Sequence, residues 1–492
     1  MTQTPTAPVP TGLAPTTVTV GTGPLAIEDV VAVARFDAPV VIADAALVRI
    51  RESRQIIEGL ANDTVPHYGV STGFGALATK HIPAQQRAQL QRSLVRSHAA
   101  GSGPEVEREV VRALQLLRLA TLATGRTGVR EEVAQTYAAL LNAGITPVVH
   151  EFGSLGCSGD LAPLAHCALA AMGEGPVRVR DGSMVPAATA LEEHGIAPVT
   201  LAEKEGLALI NGTDGMLGML VLAITDLRRL VTTADVTAAM SVEGLLGTDD
   251  VFAEDLQALR PHPGQAASAA NLRKLMRDSE IRESHRTEEC TRVQDSYSLR
   301  CAPQVAGGAR DTIDHATRVA EWELASAVDN PVVTLDGRVE SNGNFHGAPV
   351  AYVLDFLAIV AADLASISER RTDRFLAPEI QAAVTSSTAR TRASASTERR
   401  SLRAADQPID TWSSCMALLG IESTLAGAAR RFISDTRAAW VYWAIMWPES
   451  TPGLSARNGG SPLLRDWSRN RSVRRSEMLA RSAATIARKS RT

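Results

Sequence analysis

Gly153-Ser154-Leu155-Gly156-Cys157-Ser158-Gly159-Asp160-Leu161-Ala162-Pro163-Leu164-Ala165-His166 runs from a small-residue turn into a helix-like segment. Three glycines in seven residues free its backbone for conformations that other residues resist. A glycine-rich loop that opens a helix often does no more than turn tightly or hold an anion. A phosphate cradle would end in Gly-Lys-Ser/Thr. This loop ends in Gly159-Asp160, and an acid is the wrong group for phosphate. Alone it reads as a functional turn whose meaning depends on the rest of the chain.

Apolar periodicity of the helical type dominates from about residue 27 onward and predicts a mainly α protein. A strand-like stretch at 17–20 precedes helices over 27–34, 45–60, 85–100, 105–124 and 130–142. Residues 173–199 read as an insertion with short strands around an Asp-Gly turn. Helix returns over 201–231, broken at Asn211-Gly212-Thr213-Asp214-Gly215, and again over 235–246, 265–277, 312–328 and 351–371. The charged stretch 280–292 reads as a solvated loop.

Several polar residues stand at the breaks. Gly69, Gly73 and Gly75 make 66–75 a mobile loop and Tyr68 an exposed phenol. His98 lies in the last turn before Gly101, where a histidine ordinarily caps the helix. The Asn211 carboxamide is either a structural cap or, in an enzyme, a group pointed at substrate. Gln294, Tyr297 and Arg300 fall within seven residues. They form either a polar helix start with a surface arginine or a site whose guanidinium pairs with a substrate carboxylate.

Length alone suggests about three domains. The net charge of -4 calls for neither nucleic acid nor an anionic membrane. The five cysteines (157, 167, 290, 301, 415) form no CxxC pair and no metal-ligand spacing, as in a reducing cytoplasm. Residues 1–22 read as a loose, uncharged leader without a secretory pattern. The most apolar run, 348–367, carries Asp355 and Asp363, which favours a buried helix over a membrane span.

Composition changes after Arg374. From Phe375 onward there are 17 arginines to one lysine, 17 serines and five of the six tryptophans. The tail carries about +9, and the first 374 residues about -13. A basic tail would point to nucleic acid. The preferred reading is that a GC-rich gene read out of frame gives this bias.

Gly153 to His166, Tyr68 to Gly75, Asn211-Gly212-Thr213, Gln294 to Arg300 and Gly343-Asn344-Phe345-His346 stand in one order along the chain. Together they resemble the histidine/phenylalanine/tyrosine ammonia-lyase family over about residues 18–374. Cys157 stands where most of the family has Ala, as in the actinobacterial histidine enzymes. The resemblance implies an N-terminal domain at 23–200 and a central helical bundle at 201–374. It also implies non-oxidative deamination of L-histidine to urocanate in the cytoplasm. Eliminating ammonia needs an electrophile for a poor leaving group, and side chains are nucleophiles. The family builds one, a 4-methylidene-imidazol-5-one (MIO) ring, from the backbone of the residues matching Cys157, Ser158 and Gly159. No metal or external cofactor is implied.

By resemblance, Tyr68 takes the β-proton, Arg300 holds the carboxylate with Asn344, and Phe345 packs on the substrate ring. Asn211, Gln294 and Tyr297 surround the electrophile and amine. His98 would read the substrate imidazole, since a polar pocket rejects an apolar ring. The implied assembly is a homotetramer whose sites draw on three subunits, acting on a small amino acid with no nucleic acid or membrane partner. The family continues past Arg374 with a Gln-Glu-Asp-His segment, absent here, whose Glu lies in the active site. The alternatives are a tyrosine or phenylalanine lyase or aminomutase, an inactive lyase-like chain, and a lyase scaffold with a nucleic-acid-binding tail.

Overall fold

The computed structural model describes residues 16–63, 65–75, 78–286 and 293–375. The readings placed on residues 1–15, on Cys290 and Cys415, and on the tail after Phe375 lie outside the described residues. The helices are α1 (Ile27–Phe36), α2 (Asp44–Ala61), α3 (Ala84–His98), α4 (Arg108–Ala123), α5 (Glu131–Ala143), α6 (Leu161–Ala171), α7 (Ala187–Glu193) and α8 (Glu205–Ile210). They continue with α9 (Asp214–Gly244), α10 (Glu254–Ala258), α11 (Pro263–Leu275), α12 (Glu280–Glu283), α13 (Tyr297–Arg300), α14 (Ala302–Leu324) and α15 (Ala348–Phe375). Strands are short. Val18–Val20 pairs in parallel with Val40–Ile42, and Pro176–Arg178 pairs antiparallel with Met184–Pro186 around the expected Asp-Gly turn.

Helix α9 organises the rest. Its 31 residues span about 46 Å at 1.5 Å per residue. Sequence reading ends one helix at Val231 and opens the next at Asp235. The structure keeps it whole. Thr232 Oγ1 and Thr233 Oγ1 donate to the carbonyls of Arg228 and Arg229 one turn back, at 2.9 and 3.0 Å. With no Gly or Pro at that point, nothing breaks the ladder. Helices α4, α11, α14 and α15 pack around α9, and one apolar cluster runs from Val18 to Leu364.

Helix α14 begins at Ala302, ten residues before its predicted start. Pro303 stands in its first turn, where the missing N–H costs nothing, and Gly307 inside it fits a close crossing. A Cβ there would overlap the backbone of Gln265, so glycine lets α14 cross α11 closely. The stretch 280–286 is not simply solvated. Glu280–Glu283 forms α12, and Arg282 and Arg286 are bonded to Asp249 at 2.8 and 2.7 Å. Helix α15 is buried along one face only: Val353, Leu357, Ala361 and Leu364 face the core, while Tyr352, Phe356 and Ile359 are exposed. The expected burial of this helix therefore holds for that face alone.

Candidate active site

The loop at 153–159 is closed by its own backbone. Leu155 N donates to Gly159 O at 3.1 Å, and Gly159 N to Gly156 O at 3.3 Å. Gly159 has φ +80°, and a Cβ there would overlap the carbonyl oxygen of Gly212. Both conditions exclude any other residue. The same Gly212 carbonyl accepts from Asp160 N at 2.7 Å, which fixes the triplet beside the Asn211 turn. Cys157 is exposed and Ser158 half-buried.

Two buried ions that sequence reading left without a role hold this arrangement. Asp160 Oδ2 accepts from Gly215 N at 2.8 Å and Met216 N at 3.0 Å, the first turn of α9. The positive helix end favours a carboxylate there. Burial outweighs it and pushes the Asp160 carboxyl up to about 6, although its hydrogen bonds with Ser154, Met216 and Gly215 oppose the rise. Arg118 is fully buried on α4. It donates to Ala208 O at 2.8 Å and to Asp214 Oδ2 at 2.5 Å, spanning the turn between α8 and α9. The sequence signal for both was a charge inside an otherwise apolar or small-residue stretch.

Asn211 is buried, and its Nδ2 donates to Asn330 O at 2.9 Å. Asn330 Oδ1 accepts from Ser341 Oγ and Asn342 N, and Asn342 Oδ1 accepts from Asn344 N at 2.9 Å. The loop carrying Asn344 and Phe345 then meets the triplet loop, where Gly347 N donates to Gly156 O at 2.9 Å. Asn344 is exposed and Phe345 half-buried.

Tyr68 is half-buried and packs edge-on against Phe74, with ring centroids 6.4 Å apart. It is less exposed than its loop predicts. Val70, Ser71 and Thr72 are buried, Ile82 N donates to Ser71 O, and Gly73 N to Lys80 O. Gly69 abuts Leu207 and Pro331, which places the Tyr68 turn beside the Asn211 region. His98 ends α3 with Nδ1 donating to Leu94 O at 2.9 Å, the cap that the sequence predicts. In that tautomer its Nε2 is an acceptor. The segment after it is tied to α6, where Gly101 N donates to His166 Nε2 at 3.2 Å. Burial and the neighbouring His150 hold His166 below the usual histidine range.

Gln294, Tyr297 and Arg300 are elsewhere. Asp295 Oδ2 accepts from Thr248 N at 2.7 Å, and Leu299 packs with Val242 and Leu245. This group sits at the C-terminal end of α9, while the triplet sits at its N-terminal end. Tyr297 is 73% exposed, and the Arg300 guanidinium lies 4.4 Å over its ring. Arg300 Nε has no hydrogen-bond partner among the described residues. The structure thus gathers Tyr68, Asn211, Asn344, Phe345 and the triplet, ties Gly101, three residues past His98, to α6, and leaves Gln294, Tyr297 and Arg300 apart.

Histidine ammonia-lyase of Streptomyces griseus is 66% identical over 360 residues, covering 73% of this chain and 70% of that protein. The histidine ammonia-lyase of Streptomyces coelicolor is 64% identical over the same length, with the same shares covered. Among solved structures, tyrosine aminomutase from Streptomyces globisporus matches with a TM-score of 0.69 at 32% identity, covering 88% of this chain and 89% of that one. Histidine ammonia-lyase from Trypanosoma cruzi matches at 0.68 and 32%, covering 92% and 88%. The family model of aromatic amino acid lyases matches residues 25–397, running past the compositional break at Arg374. The chain belongs to the aromatic amino acid lyase family.

Proposed function

We propose that this chain deaminates L-histidine to urocanate and ammonia without oxidation. The observation that carries the reading is the 66% identity over 360 residues to a histidine ammonia-lyase. The residues present fit the family's backbone-derived MIO group. Gly159, in its left-handed conformation against Gly212, leaves the attacking amide nitrogen without a Cβ beside it. Cys157, Ser158 and Gly159 would form the group, and it would supply an electrophile for the substrate amine. Cys157 gives its backbone, so its thiol has no chemical task.

The remaining work falls to side chains. Tyr68 takes the β-proton, and its half-buried ring on Phe74 limits the positions its hydroxyl can take. Asn211 orients the amine. His98 presents its Nε2 acceptor to the imidazole N–H, which favours histidine over an apolar ring. Phe345 packs on that ring, and Asn344 assists at the carboxylate. Arg300 pairs with the carboxylate bidentately, and Gln294 and Tyr297 complete the amine side. Since these three lie at the far end of α9, the site is completed by other copies of the chain, in a cytoplasmic homotetramer. The likeness to tyrosine aminomutase favours a second reading, a tyrosine lyase or aminomutase.

Incubating the purified chain with L-histidine, L-tyrosine and L-phenylalanine separates these readings. Urocanate absorbance rising with histidine alone supports the first. Turnover of tyrosine in its place overturns it, and turnover of none leaves the lyase-like inactive chain.

A further inference from the structure

Helix α8 is only six residues long, and the residues on either side of it are tied to two adjacent residues of another segment. Before it, Lys204 Nζ donates to Asp329 Oδ2 at 2.6 Å and to Thr127 O at 2.7 Å. After it, Asn211 Nδ2 donates to Asn330 O at 2.9 Å. Lys204 and Asp329 are both 0% exposed. A buried ion pair of this kind is rarely the most stable choice, since well-packed apolar residues often do as well or better. Lys204 also has φ +67°, a region uncommon for residues other than Gly, Asn and Asp because the Cβ crowds the backbone. An ammonium kept under both handicaps points to a task beyond packing.

The same two residues carry the loop before α15 through their other acceptor atoms. Asn342 Nδ2 donates to Asp329 O at 3.0 Å, and Asn342 N to Asn330 Oδ1 at 2.9 Å. Asn344 N then donates to Asn342 Oδ1. Asp329-Asn330 is therefore one frame with Asn211 on one side and Asn344 on the other.

We propose that Lys204 and Asp329 are positioning residues for this site: their buried pair locks the Asp329-Asn330 frame that aims the Asn211 carboxamide and the Asn344 loop. The proposal rests on the lyase reading above and adds two residues that do not touch substrate. Fixing groups within a fraction of an ångström matters to rate, and a small misplacement can cost about 100-fold.

The test is the charge-free pair variant Lys204→Met/Asp329→Asn, which leaves no lone buried charge. It is expected to fold, with circular dichroism and thermal midpoint near the parent's, and to lose the same two waters at 157–159 by intact mass. Its kcat/KM for L-histidine is expected to fall by about 10- to 100-fold. In an Asn211→Ala background the same two changes are expected to cost clearly less than in the parent, because one of the two groups they aim is already gone. An unchanged kcat/KM, or a full loss in that background, overturns the proposal. Asn342→Ala leaves the buried pair intact and serves if the pair variant does not fold. Its loss is expected to shrink in the same way in an Asn344→Ala background, and a loss of the same size there overturns the proposal. A crystal structure of the parent and the folded variant decides without turnover. The Asn211 Nδ2 to Asn330 O contact is expected to be lost in the variant, and its persistence at 2.9 Å overturns the proposal. A parent with no lyase activity defeats the lyase reading and leaves the structural comparison to decide the positioning.

Discussion

Ser158 and Cys157 are neighbours with opposite expected sensitivities. Ser158→Ala removes the hydroxyl lost in forming the electrophile, and lyase activity is expected to fall by at least about 1000-fold, as for loss of a covalent catalyst. Cys157→Ala keeps the backbone, and the thiol is exposed, so kcat is expected to stay within about 3-fold of the parent. Side-by-side turnover of L-histidine checks both.

Asp160 gives a pH signature. Its folded value, about 6, lies above the ordinary 3.8. For a raised group, the stabilising contribution is complete below the unfolded value and is lost as pH rises through the folded one. The chain should therefore lose about 3 kcal/mol from this group between pH 4 and 6. Asp160→Asn should flatten that part of the profile in denaturant unfolding measured at each pH. A parallel profile would count against a strained buried carboxylate. In the sequence, Asp160 counted only against phosphate. Its ties to Gly215 and Met216 join residues 55 and 56 positions away, which no local pattern reveals. His98 was more legible. Its cap to Leu94 is a local contact, and the sequence position predicts it.

At the scale of elements, Gly307 and Gly308 are adjacent in α14 yet differ in surroundings. A Cβ at 307 would meet backbone atoms of Gly264 and Gln265, which cannot move aside, while one at 308 meets nothing within 4 Å. Gly307→Ala is expected to destabilise by about 1–3 kcal/mol despite alanine's better helix propensity. Gly308→Ala is expected to stabilise by about 0.5–1 kcal/mol. Thermal midpoints moving in opposite directions check the pair. Helix type and most boundaries were legible from apolar spacing, since amphipathic faces are written locally. The continuity of α9 through Thr232-Thr233 was not, because it rests on tertiary packing of Val231 and Ala234, which overrides the local propensity. Nor was the close crossing of α14 over α11, which depends on a glycine contact with another helix.

For the whole molecule, the separation along α9 has a direct consequence. Ser158 and Arg300 lie near opposite ends of a helix about 46 Å long, too far apart to meet one substrate within a chain. Mixed assemblies of Ser158→Ala and Arg300→Ala chains, formed by co-expression, should therefore recover activity that neither variant has alone. Activity no higher than that of the separate variants would place both residues in one chain's site. Motif order made the residue set legible from sequence, but sequence order carries no distance. Only the length of α9 separates the 294–300 group from the triplet.

Every role assigned to these residues depends on Cys157-Ser158-Gly159 having closed into an electrophile. The intact mass of the purified chain, with the change localised by digestion, measures that directly. The account predicts a chain lighter by two waters, both missing from the peptide that contains residues 157–159. A chain at its full sequence mass, with that peptide unmodified, would contradict it.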